Sequence, residues 1–211
     1  MRLPKPALLV ITDRRQARMP IPDIVEAACA AGCRWFSLRE KDLPADDQTA
    51  LAESLVPITR RFGARLTLHG DPALAASAGV DGVHLPAGGD VARARDMLGE
   101  KLLGISIHGA AEAAGLDPAL VDYAIAGPAY ETESKSGYGP ALGPQGMAAI
   151  VGAANVPILA IGGISAADVH DMLRSGAAGV AVMGSVMRSG SPAAEVERLL
   201  AAFASARPVV P

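Results

Sequence analysis

The apolar positions of this chain gather into short runs that return at near-regular intervals. Eight can be followed: ALLVIT (7–12), RWFSL (34–38), ARLTL (64–68), DGVHL (81–85), KLLGIS (101–106), DYAIAG (122–127), PILAIG (157–162) and GVAVM (179–183). Eight runs in 211 residues give a pitch of about 26, the length of one strand, one helix and two short loops. Polar or Gly/Pro punctuation closes each run, and an Ala/Leu-rich stretch follows. Residues 22–31 place Ile24, Ala27, Ala28 and Cys29 at helical spacing behind a proline start. Residues 46–62 carry the stripe Leu51, Leu55, Ile58 and Phe62, and residues 193–203 the stripe Val196, Leu199, Leu200 and Phe203. Asp71, before Pro72, and Ser165 read as helix caps. Strands alternating with helices predict a mainly parallel sheet, each strand followed by its crossover helix. Eight unbroken repeats favour a closed barrel over an open doubly wound sheet. The expected fold is a single α/β domain over 1–211, a (β/α)₈ TIM barrel, with 204–211 as a frayed tail.

Composition sharpens this picture. Half of the residues are hydrophobic but only 3% are aromatic, so the core must be layers of Ala, Val, Leu and Ile. The formal net charge of −3, with no basic run, argues against nucleic acid as a partner and leaves room for a small anion. Cys29 and Cys33 lie four apart and read as small apolar helix residues of a reducing compartment. The run 7–11 is too short for a signal-peptide core, and no stretch approaches a membrane span. The expectation is a soluble cytoplasmic protein with no membrane partner. Its oligomeric state stays open, a homo-oligomer included.

In such a barrel the chemistry sits where strands end and loops begin. Turns after the last two runs contain Gly162, Gly163, Met183 and Gly184, whose backbone N–H groups can approach an anion closely. The plain alternative is that these glycines only turn the chain, but two such turns on consecutive strands favour a phosphate site. Arg39 and Lys41, at i, i+2 after the second run, converge on the mouth if the strand continues. Otherwise they form a solvated cluster with Glu40 and Asp42. His108 follows the fifth run, where an imidazole can move a proton near neutral pH. His69 and His84 are weaker candidates, and His170, inside a helix, carries no functional expectation. Loop 127–144 is long, polar and glycine-rich, and it suits a lid that carries Lys135 to an anionic substrate.

Taken in order, several segments resemble the superfamily of thiamine-phosphate synthases and TenI-like thiazole tautomerases. They include Ile11-Thr12-Asp13, Leu38-Arg39-Glu40-Lys41, Asp81-Gly82-Val83-His84-Leu85, Gly104-Ile105-Ser106-Ile107-His108, Gly127-Pro128, 132–135, 161–164 and 179–185. The resemblance implies a (β/α)₈ barrel. A synthase of this superfamily joins a pyrimidine diphosphate to a thiazole phosphate and releases pyrophosphate. In that case Arg39, Lys41, Ser106, Thr132, Ser134 and Lys135 would face the diphosphate. Gly163, Met183 and Gly184 would hold the thiazole phosphate through backbone N–H groups.

The chain departs from the synthase pattern at the implied magnesium site. Where synthases carry Asn-Asp after the third strand it has His69-Gly70, and where they carry Gly-Gln-Glu-Asp it has Pro86-Ala87-Gly88-Gly89-Asp90. The Gln before Leu-Arg is Ser37. Leu85-Pro86-Ala87-Gly88 and Glu131-Thr132 are similar to the tautomerase branch, in which the histidine matching His108 moves a proton without a metal. The leading expectation is therefore a tautomerase acting on a phosphorylated thiazole, with His108 and Lys135 as catalytic residues and no cofactor. Second comes a synthase requiring Mg²⁺, with Asp90 or Asp71 as metal ligands. A non-catalytic sensor of a thiazole or thiamine phosphate is third, and a generic sugar-phosphate isomerase fourth.

Overall fold

The structure is a computed structural model that describes residues 3–131 and 141–206. Eight parallel strands close into a barrel in chain order. They are β1 (Ala7–Ile11), β2 (Trp35–Leu38), β3 (Arg65–His69), β4 (Gly82–Leu85), β5 (Leu102–Ile107), β6 (Tyr123–Ala126), β7 (Ile158–Ile161) and β8 (Gly179–Val182). Between and after them run α1 (Ile21–Ala30), α2 (Ala45–Arg61), α3 (Pro72–Ser77), α4 (Val91–Leu98), α5 (Ala110–Ala114), α6 (Gly143–Ala153), α7 (Val169–Arg174), α8 (Gly184–Met187) and α9 (Pro192–Ser205). Strand β8 pairs back onto β1 from Ala7↔Gly179 to Val10↔Val182, which closes the ring. The barrel expected from the hydrophobic repeat is thus present. No helix among the described residues is long and apolar enough to cross a membrane.

Side-chain alternation along each strand builds two cores. Leu8, Val10, Phe36, Leu38, Leu66, Leu68 and Val83 point outward and pack under the helices. Ala7, Leu9, Ile11, Trp35, Leu102, Tyr123, Ile125, Leu159 and Ala181 fill the barrel. Trp35 and Tyr123 meet edge to face with ring centroids 4.7 Å apart, a favoured aromatic geometry. Two large rings fit because the positions facing them are small. A Cβ built on Gly104 would lie 2.1 Å from Cζ of Tyr123. Gly104→Ala is therefore expected to cost about 3 kcal/mol, the upper end of ordinary overpacking. A urea unfolding midpoint equal to that of the wild type would contradict this account of the interior.

Local expectations need three corrections. Ser165 does not begin a regular helix. Its N–H and hydroxyl both donate to Asp168 Oδ2 (2.8 and 2.6 Å), and the helix starts afterwards, at Val169. Helix α9 continues to Ser205, past the expected start of the frayed tail, and residues 207–211 lie outside the described ones. Helix α2 holds Pro57 in its interior, a residue the apolar stripe passed over. Both cysteines are buried and free, but only Cys29 lies on a helix: α1 ends at Ala30 and Cys33 follows its closing turn; burial pushes the thiols up to about 11 for Cys29 and about 12 for Cys33.

Candidate active site

Two adjoining compartments open at the C-terminal ends of the strands. The larger, a cavity of about 720 Å³, is lined by Arg15, Gln16, Arg39, Lys41, His69, His84, Ser106 and His108 together with apolar neighbours. The smaller, about 290 Å³, is lined by Pro128, Gly162, Gly163, Ile164, Ser165, Gly184, Ser185 and Arg188. Ile161 and Met183 line both and form the partition.

Strand parity brings Arg39 and Lys41 to the larger cavity. Trp35 faces the barrel interior, and positions 37, 39 and 41 continue the same alternation past the end of β2. The Arg39 N–H donates to Thr12 Oγ1 at 3.0 Å, tying this segment to the end of β1. Glu40 points the opposite way and is 1% exposed, so it does not neutralise the neighbouring cations at the mouth. Instead its carboxylate accepts the Arg14 N–H through both oxygens, at 3.1 and 3.0 Å, and pins the loop after β1. Burial pushes the Glu40 carboxyl above its ordinary range, opposed by hydrogen bonds from the Arg14 amide and the Thr12 hydroxyl.

That shift has a consequence for stability. Between the ordinary glutamate value and the raised one, the folded chain holds a proton that the unfolded chain has released. Stability therefore falls as pH rises through that window. Glu40→Gln is expected to remove this slope, so its urea midpoint should improve relative to wild type as pH rises through the ordinary glutamate range and above it. A difference that stays constant over that range would contradict the shift.

The floor of the larger cavity is more polar than the sequence suggested. His84 Nε2 lies 2.9 Å from Ser106 Oγ, and the His69 and His84 rings stand 5.0 Å apart. Both histidines were weaker candidates, yet both line the site. The signal was strand parity, since 65, 67 and 69, like 82 and 84, alternate toward the interior. His108 stands at the rim, exposed, with its N–H donated to Glu112 Oε2 at 2.7 Å. Ser106, His108, Arg39, Lys41 and Met183 thus share one cavity, while Gly162, Gly163 and Gly184 shape the other. Thr132, Ser134 and Lys135, and with them half of the expected lid (132–140), lie outside the described residues.

The smaller compartment depends on glycine. Gly163 has φ +65°, and a Cβ there would stand 2.5 Å from the Glu131 carbonyl oxygen. Past the partition, the Gly184 and Ser185 amides open α8 and have no acceptor within that helix.

The donors at the mouth do not fit a two-carboxylate magnesium seat. Asp71 Oδ1 accepts the Ala73 N–H at 2.8 Å and Asp90 Oδ1 the Arg93 N–H at 3.0 Å, each capping a helix. Neither lines the cavity. At that wall stand His69, Pro86 and Ala87. Asp13 does line it, but its oxygens take the Arg15 N–H (3.1 Å) and Gln16 Nε2 (2.6 Å).

Comparison with known proteins identifies the family. The family model described as thiamine monophosphate synthase matches residues 8–186. A Geobacter sulfurreducens protein, provisionally named a thiamine-phosphate synthase, is 40% identical over 92% of this chain and 93% of its own length. The thiamine-phosphate synthase of Roseiflexus sp. strain RS-1 is 38% identical over 93% of this chain and 85% of its own length. Among solved structures, a thiamine phosphate pyrophosphorylase from Pyrococcus furiosus superposes with a TM-score of 0.85 at 26% identity, covering 94% of this chain and 96% of that one. These names stand with the synthase branch and do not support the expectation that placed the tautomerase first. The chain belongs to the thiamine-phosphate synthase and TenI-like enzyme superfamily.

Proposed function

We propose that this protein is a thiamine-phosphate synthase with an atypical diphosphate site. It would join a pyrimidine diphosphate to a thiazole phosphate with release of pyrophosphate. The observation that carries this reading is the pair of adjoining compartments, one lined by Arg15, Arg39 and Lys41 and the other by the glycine turns of β7 and β8. Two phosphorylated substrates need two anion sites, and a shared partition at Ile161 and Met183 would let their reacting ends meet. The relatives' names point the same way.

Within this reading the protein meets the diphosphate mainly with cations. Arg39 and Lys41 hold the leaving group and take up charge as it departs, while Ser106, fixed by His84, adds a hydrogen bond. The test is pyrophosphate release by the purified protein with both substrates, with and without magnesium. Release matched mole for mole by thiamine phosphate establishes the reaction, and its absence under both conditions refutes it.

A second reading is favoured by one specific observation. His108 stands at the rim while Asp71 and Asp90 are committed to helix caps, an arrangement suited to proton transfer on a thiazole carboxylate phosphate. A positioned histidine is worth about 10²–10⁴-fold in such a step. Under the synthase reading, His108→Ala lowers pyrophosphate release by less than about tenfold. A loss of thiazole isomerisation by about 10²–10⁴-fold in this variant would favour the tautomerase instead.

A further inference from the structure

The smaller compartment contains a cation that the glycine turns do not explain. Arg188 follows α8, and its guanidinium folds back across the turn at Gly184. A Cβ built on Gly184 would meet Arg188 Nη1 at 2.4 Å and Cζ at 2.7 Å. Residue 184 therefore has to lack a side chain for the guanidinium to rest there. Nη1 donates to Gln16 Oε1, and Gln16 Nε2 donates to Asp13 Oδ2 at 2.6 Å. No carboxylate forms an ion pair with Arg188 among the described residues; its partner there is a neutral amide. Its charge is thus fixed in place beside the compartment without being cancelled. Ser185, on the same wall, has a buried hydroxyl oxygen with no hydrogen-bond partner among the described residues.

We propose that Arg188 is a binding residue for the phosphate monoester in the smaller compartment, held in place by the strut Arg188–Gln16–Asp13. This inference rests on the reading that the compartment takes the thiazole phosphate. A planar guanidinium carries paired donors suited to phosphate oxygens, and a dianion beside an uncancelled cation gains more than a neutral alcohol would. Arg188 thereby makes the compartment selective for the phosphorylated thiazole over the thiazole alcohol. Because Gln16 and Asp13 line the larger cavity, the strut also links the walls of the two compartments.

The experiment is calorimetric titration of wild type, Arg188→Gln and Arg188→Lys with thiazole phosphate, thiazole alcohol and inorganic pyrophosphate. Arg188→Gln is expected to weaken thiazole phosphate about 10- to 100-fold. Affinity for the alcohol should be unchanged, any loss for pyrophosphate should be much smaller than that for thiazole phosphate, and Arg188→Lys should recover part of the loss. Arg188 is exposed, so the variants are expected to fold, and a far-UV circular dichroism spectrum and urea midpoint equal to wild type check that they have. Wild-type affinity of Arg188→Gln for thiazole phosphate overturns the inference and leaves the reading of the compartment intact. Equal weakening of phosphate and alcohol also overturns it, because it would show a structural disturbance. If wild type itself fails to bind thiazole phosphate, the underlying reading falls and the inference falls with it.

Discussion

Arg39→Ala is expected to lower kcat/KM for the pyrimidine diphosphate by about 30- to 140-fold, the equivalent of about 2–3 kcal/mol. Removing a charge-assisted hydrogen bond to an anion typically costs that much. Arg39 is placed by its backbone, through Thr12 Oγ1, and by strand parity, so truncating the side chain leaves the frame standing. The effect should be confined to one substrate: KM for the thiazole phosphate stays within about twofold, since that group binds across the partition. Steady-state kinetics with each substrate varied in turn separates the cases. Equal losses for both substrates would mean that Arg39 supports the whole mouth.

Gly163→Ala is expected to be more disruptive. The residue sits at φ +65°, where an L-residue pays about 1–2 kcal/mol, and its new Cβ would press on the Glu131 carbonyl at 2.5 Å and on Tyr130 Cβ at 2.8 Å. Overpacking adds about 1–3 kcal/mol, giving a total loss of about 2–5 kcal/mol. Gly88 provides the control. It has φ +73° near the mouth, but a Cβ there meets nothing within 4 Å, so Gly88→Ala bears the backbone strain alone. Urea unfolding should rank the variants with Gly163→Ala well below Gly88→Ala. Thiazole-phosphate affinity should fall only in the former. Equal stability and unaltered affinity would show that the turn at Gly163 is not tight.

Most of the fold could be read from the chain because a parallel barrel repeats one simple unit. Runs such as PILAIG and GVAVM are apolar on both faces, and each marked a real strand to within a residue or two. The i, i+2 spacing of Arg39 and Lys41 was informative for the same reason, since parity survives past the end of β2. His69 and His84 were undervalued because a lone histidine in a strand carries no signal until the neighbouring strands are placed. Only the register His69↔His84, and Ser106 beside them, shows a joint polar floor. The part played by Glu40 was hidden by its charge: in a run of four alternating charges it resembled a surface residue, yet it is buried under the Arg14 amide. Arg188 gave no local signal at all. Its importance depends on Gln16, which lies 172 positions away in the chain.

The local motifs bear on two separate questions. His69-Gly70 and Pro86-Ala87 depart from a two-carboxylate metal site, and Asp71 and Asp90 each cap a helix. These departures speak to how a diphosphate is held, and the retained Arg39, Lys41 and Ser106 speak to whether one is held at all.

The most direct test of the two-compartment account is a calorimetric competition between inorganic pyrophosphate and thiazole phosphate. The account predicts that each binds with a stoichiometry of one and that saturation with either leaves a site for the other. One-for-one displacement of thiazole phosphate by pyrophosphate would contradict it, because a single anion site cannot serve a reaction that joins two phosphorylated substrates.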